Sequence, residues 1–199
     1  MISNEIYTDE KFEEDDLSGR EYIGCKFINC SFKNANMDGV VTRRCMFSNC
    51  NFKSARLNAS LHEGSAFTNC QFESANLFSG DFIECKMTGS SFVDANMMGV
   101  SIKKGDWSYT NLRLCNLKAM DLRGVKFERA DLYNCDFQKA DLRGADLSNA
   151  ILIKANLKNA DLREATVKGV DFTSFDLKNV RLDVIQAVEV ARAFGVIVE

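Results

Sequence analysis

The chain of 199 residues contains no proline, one histidine and one tryptophan. The lack of proline suits a backbone in which nearly every N–H is needed for a hydrogen bond to a neighbouring segment. No stretch approaches the roughly 18 consecutive apolar residues that a membrane-spanning helix requires. The first residues include Glu5, Asp9 and Glu10 instead of a basic, apolar leader. We therefore expect a water-soluble, cytoplasmic protein that does not contact membranes.

The residues that most catalytic and metal sites require are also missing. The one histidine, His62, has no second histidine, cysteine or aspartate placed to orient it. The sequence has no C-x-x-C or Cys/His spacing for zinc, no nucleotide-binding fingerprint and no nucleophile elbow. We therefore expect a protein that is not an enzyme and that has no catalytic, metal-binding or cofactor-binding residues.

A five-residue periodicity dominates what the sequence does contain. From Phe12 to Leu182, residues whose numbers end in 2 or 7 are apolar, most of them Leu or Phe, and the exceptions are Thr42 and His62. An α-helix repeats every 3.6 residues and a half-buried strand every two, so neither pattern fits. A short unit repeated many times without a change of phase predicts a solenoid.

The eight cysteines and most glycines fall into phase with this repeat. Every cysteine has a number divisible by five, two residues before an apolar centre, in a position that otherwise holds mainly alanine. We interpret them as small buried hydrophobic residues that need no partner, which suits a reducing compartment. Nine of the twelve glycines end a five-residue unit, where a corner can require positive φ.

The clearest stretch, from Ala140 to Glu164, reads ADLRG ADLSN AILIK ANLKN ADLRE. It resembles the pentapeptide-repeat family, whose signature is A(D/N)Lxx. The resemblance implies an all-β, right-handed quadrilateral β-helix of about nine coils, with four pentapeptides in each coil. We divide the chain into an N-terminal lead-in (1–11), the β-helix (12–182) and a C-terminal capping and dimerisation module (183–199).

The repeat is irregular at three places. Thr42 and His62 lie one coil apart, and we predict a local bulge there, with Leu61 turned inward and the His62 imidazole outside. Trp107 occupies an apolar centre within the irregular step at 101–110, so we predict that this coil widens or bulges. By contrast, the repeated DLR steps beginning at Asp121 and Asp141 predict a surface ladder of alternating charges and no active site.

After Leu182 the repeat stops and Asp183 and Gln186 predict a capping box that starts a short helix ending at Gly195. Its apolar residues can cover the open end of the solenoid, and 196–198 is predicted to be a strand. The module is either a simple cap or a cap that also forms a two-fold dimer. The residues predicted to form a dimer are Ile185, Val188, Ala191, Phe194, Val196, Ile197 and Val198.

Within the family, the two ends of the chain are similar to the quinolone-resistance (Qnr-type) proteins. The opening EIYTDEKFEEDDLSGREYIGCKF and the closing VRLDVIQAVEVARAFGVIVE carry this similarity. It implies a rod-shaped dimer that mimics DNA, binds DNA gyrase or topoisomerase IV and antagonises fluoroquinolones. Between Glu10 and Val184, however, the chain has 24 acidic and 24 basic residues. The predicted rod therefore copies the shape of DNA better than its charge, and we expect no direct binding to nucleic acid.

Qnr-type proteins carry loops between coils, and this chain has no such insertion. The irregular steps are therefore the candidate partner-binding positions, with a protein–protein scaffold unrelated to topoisomerase as the alternative function. These candidates are Val41, Thr42, Arg43, Arg44, Leu61, His62, Glu63, Lys103, Lys104, Asp106, Trp107 and Tyr109.

Overall fold

The computed structural model describes all 199 residues and shows parallel pairing at a constant offset of 20 residues. One sheet has the order β1-β3-β5-β7-β9-β10 and the other β2-β4-β6-β8. Outside them, single bridges such as Asp141↔Asp161 keep the same offset. The strands are β1 (Ile2–Ser3), β2 (Ile6–Thr8), β3 (Glu21–Ile23), β4 (Lys26–Ile28), β5 (Val41–Arg43), β6 (Met46–Ser48), β7 (Leu61–Glu63), β8 (Ala66–Thr68), β9 (Asp81–Ile83) and β10 (Ser101–Lys103).

Twenty residues contain four five-residue units, so each coil has four sides and one inward centre on each. The prediction of an all-β, four-sided solenoid is confirmed. The interval from Ile2 to Leu182 equals nine steps of 20 residues. No helix in the chain is both long and apolar enough to cross a membrane.

The inward centres form the core, and in the first half of the rod they stack as flat rings. Phe32 and Phe52 have ring centroids 4.8 Å apart and nearly parallel planes, and Phe52 and Phe72 are 4.7 Å apart. This distance matches the spacing between neighbouring strands, so the ladder and the ring stack support each other. Full burial of one such side chain contributes roughly 1.5–3 kcal/mol.

Each coil turns its corners with residues at positive φ, which recur at numbers ending in 4 or 9. Asparagine often fills this position, as in Asn49 and Asn69 with φ of 54°, because its side chain tolerates the left-handed region. Gly105 is different, since it occupies the inward small position with φ of 97°. A Cβ there would lie 2.5 Å from the carbonyl oxygen of Cys85, so only glycine fits.

Pairing begins close to the first residue. β1 pairs with β3 and β2 with β4, each in the common register. The segment 1–11, predicted as a lead-in, therefore already contributes two strands to the first coil.

The predicted bulge at Thr42 and His62 is wrong. β5 pairs with β7 in unbroken register, His62 is fully buried and Leu61 is only half-buried. The imidazole can face inward because the interior supplies partners for both ring nitrogens. Nδ1 lies 2.8 Å from the Thr42 hydroxyl and Nε2 lies 3.0 Å from the Ser60 hydroxyl. The ring also stacks on Phe82 at 4.8 Å.

The predicted bulge at Trp107 is also wrong at that residue. The Trp107 N–H donates to Lys126 O at 2.8 Å, and the adjacent bridges keep the 20-residue offset. The indole is fully buried, tilted against Phe92 at 5.2 Å, and its Nε1 has no hydrogen-bond partner. The rod does open at this level, but on the adjoining sides that carry Met97 and Ile102 and not on the side that carries Trp107.

The C-terminal helix α1 runs from Val184 to Ala193 and begins with the predicted capping box. Asp183 accepts from the Gln186 N–H, and Gln186 Oε1 accepts from the Asp183 N–H, each at 3.1 Å. The buried Gln186 amide also donates to Ala165 O at 2.8 Å. The helix is thus tied to the last coils by a polar side chain as well as by Val190, which packs on the core.

Two expectations for the C-terminal segment are wrong. Val184, Ile185 and Phe194 are exposed and do not cover the end of the rod. Residues 196–198 form no strand, because a strand needs a neighbour and this chain offers none.

All eight cysteines are buried and unpaired, and burial raises the pKa of Cys85 and Cys115 to about 12. Because burial hides a thiol from reagent and the thiolate is the reactive form, we expect all eight buried cysteines to react slowly with an aromatic disulfide reagent until the protein unfolds. Absorbance at fixed times, with and without denaturant, measures this. Fast labelling of most thiols in the native protein would contradict the inward placement.

Burial lowers the pKa of His62 to about 3. An unfolded chain binds a proton at this residue below about pH 6.5 and the folded chain does not. The free energy of unfolding should therefore fall as pH drops from 6.5 towards 3, by up to about 1.4 kcal/mol per pH unit from this residue. His62→Gln, which keeps polar atoms but does not titrate, should lose this component in urea titrations at several pH values. Identical pH dependence in both proteins would contradict it.

Candidate functional site

One side of the solenoid gathers most of the candidate partner-binding residues. β5, β7, β9 and β10 are neighbours there, so Val41 aligns with Leu61, and Arg43 with Glu63. Lys103 follows in the same column through Ile83. We call this surface the strand face and define it by the outward residues of β3, β5, β7, β9 and β10 and the corner residues that follow them. Short β-branched and aromatic stretches such as VTR and EYI favour strands here.

The candidates differ in what a partner could touch. Thr42, His62 and Trp107 are buried, so these irregular centres shape the interior and offer no contact surface. Asp106 and Tyr109 are accessible but lie around the corner, on the next side. The structure brings together seven residues on the strand face: Val41, Arg43, Arg44, Leu61, Glu63, Lys103 and Lys104.

Charges on the strand face are partly paired along the columns. Arg43 lies between two carboxylates, with Nε 3.5 Å from Glu21 and a closer contact to Glu63. Lys104 Nζ lies 3.8 Å from Glu84. Arg44 is exposed and forms no ion pair. Exposed pairs of this kind stabilise a fold by only about 0–1 kcal/mol.

Beyond the strands the same side carries the predicted Asp–Arg ladder. Arg123, Arg143 and Arg163 each contact the aspartate two residues earlier, at 2.6, 2.7 and 2.6 Å. Hydrogen bonds from the arginines hold the pKa of Asp121, Asp141 and Asp161 below the usual range. These carboxylates stay ionised near neutral pH, which does not suit a general acid. No group of three or more His, Cys, Asp and Glu side chains is placed to hold a metal ion.

Sequence reasoning missed several accessible residues because it looked only for breaks in the apolar centres. Glu21 and Glu84 complete the charge pattern of the strand face, and their 20-residue spacing from the candidates was the available signal. Met98 is exposed and Met120 is half-buried beside a cavity. Met120 could have been noticed, because it puts a long side chain in the position that usually holds alanine or cysteine.

Comparison with known proteins agrees with this architecture. The family model for pentapeptide repeats matches eight copies, covering residues 25–61, 65–103, 110–149 and 140–179. No curated protein sequence matches the chain.

Three solved structures of QnrB1, described as a plasmid-mediated fluoroquinolone resistance protein, are similar over nearly the whole chain. The full-length form has a TM-score of 0.88 at 22% identity, with 98% of this chain and 99% of that chain covered. Two trypsin-treated variants have TM-scores of 0.87 and 0.88 at 23% identity, covering 99% and 100% of this chain and 99% of theirs. The chain shares their fold, and with repeats matched along most of its length it belongs to the pentapeptide-repeat family.

Proposed function

We propose that this protein binds a bacterial type II topoisomerase, DNA gyrase or topoisomerase IV, and protects it from fluoroquinolones without catalysing a reaction. The observation that carries the proposal is the end-to-end structural similarity to QnrB1. QnrB1 is described as a fluoroquinolone resistance protein. A fold alone does not determine function, so the proposal also needs a surface on this chain that can bind a partner.

The strand face is the surface that we propose for topoisomerase contact. It presents half-buried apolar residues, Val41 and Leu61, beside the unpaired cation Arg44. The rod supplies the shape of a DNA mimic, while its nearly balanced charge argues against a copy of the phosphate backbone. We therefore assign specificity to individual side chains on this face and propose no direct contact with nucleic acid. The eight free thiols suit the cytoplasm, where topoisomerases act.

Purified protein should restore DNA supercoiling by gyrase in the presence of a fluoroquinolone. Arg44→Glu should raise the concentration needed by about tenfold, roughly 1.4 kcal/mol, because it reverses the charge at an exposed contact. Agarose-gel supercoiling assays with titrated protein measure this effect.

Lys139→Glu is the matched control, because Lys139 is also an exposed basic corner residue at positive φ but lies on another side. If wild-type protein far above the enzyme concentration changes supercoiling neither with nor without drug, the topoisomerase proposal fails. A general protein–protein scaffold would then be the better description.

We further propose that the protein is a homodimer through the C-terminal module. Ile185, Phe194, Val196 and Ile197 are 78%, 60%, 52% and 87% exposed, an unusual apolar concentration at the end of a chain. Val188, Ala191 and Val198 are partly exposed beside them. Residues 196–198 form no strand within one chain, and a two-fold axis would place the tail of a second copy beside them.

Sedimentation velocity tests the dimer. The wild-type protein should sediment at about twice the monomer mass at micromolar concentrations, and Ile197→Asp should sediment as a folded monomer. Ile6→Asp, an equally polar change at an exposed residue of the opposite end, should remain dimeric. A wild-type monomer would remove the dimer proposal and leave the module as a simple cap.

A further inference from the structure

The backbone ladder is open at one level in the middle of the rod. On the coil below, the Leu77 N–H donates to Asn96 O at 3.0 Å, and on the coil above, the Leu117 N–H donates to Asp136 O at 2.8 Å. Between these coils, the equivalent bond from Met97 to Asn116 is absent. The same holds on the next side, where the Asp121 N–H forms no bond to Val100 O. We call this opening the ladder break and define it by residues 95–104 and 116–123.

The two remaining sides are closed at the same level. The Phe92 N–H donates to Asn111 O at 2.8 Å, and the Trp107 N–H donates to Lys126 O at 2.8 Å. The coils therefore diverge as a wedge that is hinged along two sides and open along the other two.

Met120 explains the position of the wedge. It lies between the two open sides, in the inward position that usually holds a small residue. Ala140 and Ala160 fill this position in later coils and are buried there. A methionine is too large for the space that an alanine fills, so the coil containing it is displaced from Val100 below. At a different corner, in the column of Cys135 and Ala155, Phe175 likewise puts a large side chain in the position that usually holds alanine or cysteine, and a second opening lies beside it. There the bond expected from Asp171 to Ala150 O is missing.

The ladder break contains a cavity of about 660 Å³, and half of its lining residues are apolar while Lys103, Lys118 and Asp121 are among the polar ones. Met97, Val100, Ile102 and Met120 form its inner surface, and Met98 stands 63% exposed at its mouth. Methionine adapts its shape to different partners and is common on surfaces that bind peptides. The cavity thus combines an apolar inner surface with an exposed methionine at its mouth.

Both walls present unpaired backbone groups. The N–H groups of Met97, Gly99 and Ile102 on one wall and of Asn116 and Asp121 on the other make no backbone hydrogen bond. Rows of free N–H and C=O groups are the feature by which a sheet edge accepts an extended peptide. Water satisfies these groups when the cleft is empty, and a strand would satisfy them in a row.

The rim of the ladder break is basic. Lys103 and Lys118 line the cavities here and form no ion pair, while Arg123 is neutralised by Asp121 at 2.6 Å. Lys104 has only the distant contact to Glu84. Acidic residues beside an apolar strand would therefore complement this rim.

We propose that the ladder break binds an extended segment of a partner protein that carries apolar residues flanked by Asp or Glu. The segment pairs its backbone with the open coil edges and inserts an apolar side chain between Met98 and Met120. This proposal does not depend on the identity of the partner, nor on the topoisomerase proposal, because a peptide binding measurement tests it without any enzyme.

The probe is the capped peptide Asp-Val-Glu-Ile-Asp-Val-Glu, titrated into ¹⁵N-labelled full-length protein. Shifts of backbone amide resonances should concentrate at residues 97–103 and 116–121. The same peptide with alternate N-methylated amides should bind about tenfold more weakly, because it cannot pair on one edge. A counterpart with lysine in place of each acidic residue should be weakened by a similar factor.

Met120→Ala should close the ladder. We expect slower amide hydrogen exchange at Asn116 and Asp121 and loss of peptide binding, in a protein that folds at least as well. Val125→Ala is the matched control, since Val125 fills the next small inward position along the chain, where the ladder is closed. The double charge reversal at Lys103 and Lys118 should weaken binding about tenfold, and Lys53→Glu on a closed side should not.

Three outcomes would overturn the proposal. One is the absence of amide shifts at the ladder break with millimolar peptide, and a second is equal binding of the N-methylated peptide. The third is slow exchange of the Asn116 and Asp121 amides in the free wild-type protein, equal to that of Asp141, since the ladder would then be closed.

Discussion

Every layer of this molecule depends on one constraint, which is that four inward side chains must fill a coil only one strand spacing thick. The backbone ladder fixes that thickness, and flat phenylalanine rings stacked 4.6 to 4.8 Å apart meet it without loss of contact. The same constraint demands small residues near the corners and positive φ at the corners themselves. Residues that violate it, such as Met120, change the local architecture.

The periodicity alone predicted most of the fold, because a five-residue repeat leaves few structural alternatives. It placed the cysteines in the core, the glycines at corners and the Asp–Arg pairs on the surface. It failed at His62, because a pattern of apolar positions does not show which hydroxyl groups will surround an inward ring. Thr42 and Ser60 supply those groups from the coil below and from two residues earlier. Such partners are known only once the 20-residue register is in place.

The candidate partner-binding residues followed from the irregular steps of the repeat. Residues next to Thr42 and His62 lie on one side, since register follows from the repeat. The expectation that the His62 imidazole would lie outside was wrong, because an unusual residue in an inward position remains inward when the interior supplies partners for it. The accessible irregularity arises instead at Met120, in the inward position that usually holds alanine or cysteine. There, size matters more than polarity, and periodicity of the centres gives no signal.

Function in such a rod is a matter of side chains displayed at fixed intervals along a nearly rigid support. The strand face combines apolar residues and charges in columns with the same spacing as the strands. The end of the chain carries exposed apolar residues that a globular protein of this size would bury. The surface that we propose for partner binding and the surface that we propose for dimerisation are thereby separated along one axis.

The ladder break also affects how the rod holds itself together. In a solenoid each coil is stabilised by its neighbours, so the coupling between two segments depends on the single interface that joins them. At the level of Met120 that interface retains its hydrogen bonds on two sides of four. The aromatic-rich first half and the leucine-rich second half are therefore joined by fewer backbone hydrogen bonds than two coils that pair on all four sides, and we expect weaker coupling between them. Thermal or mechanical stress would separate them at this level before either half loses its own layers.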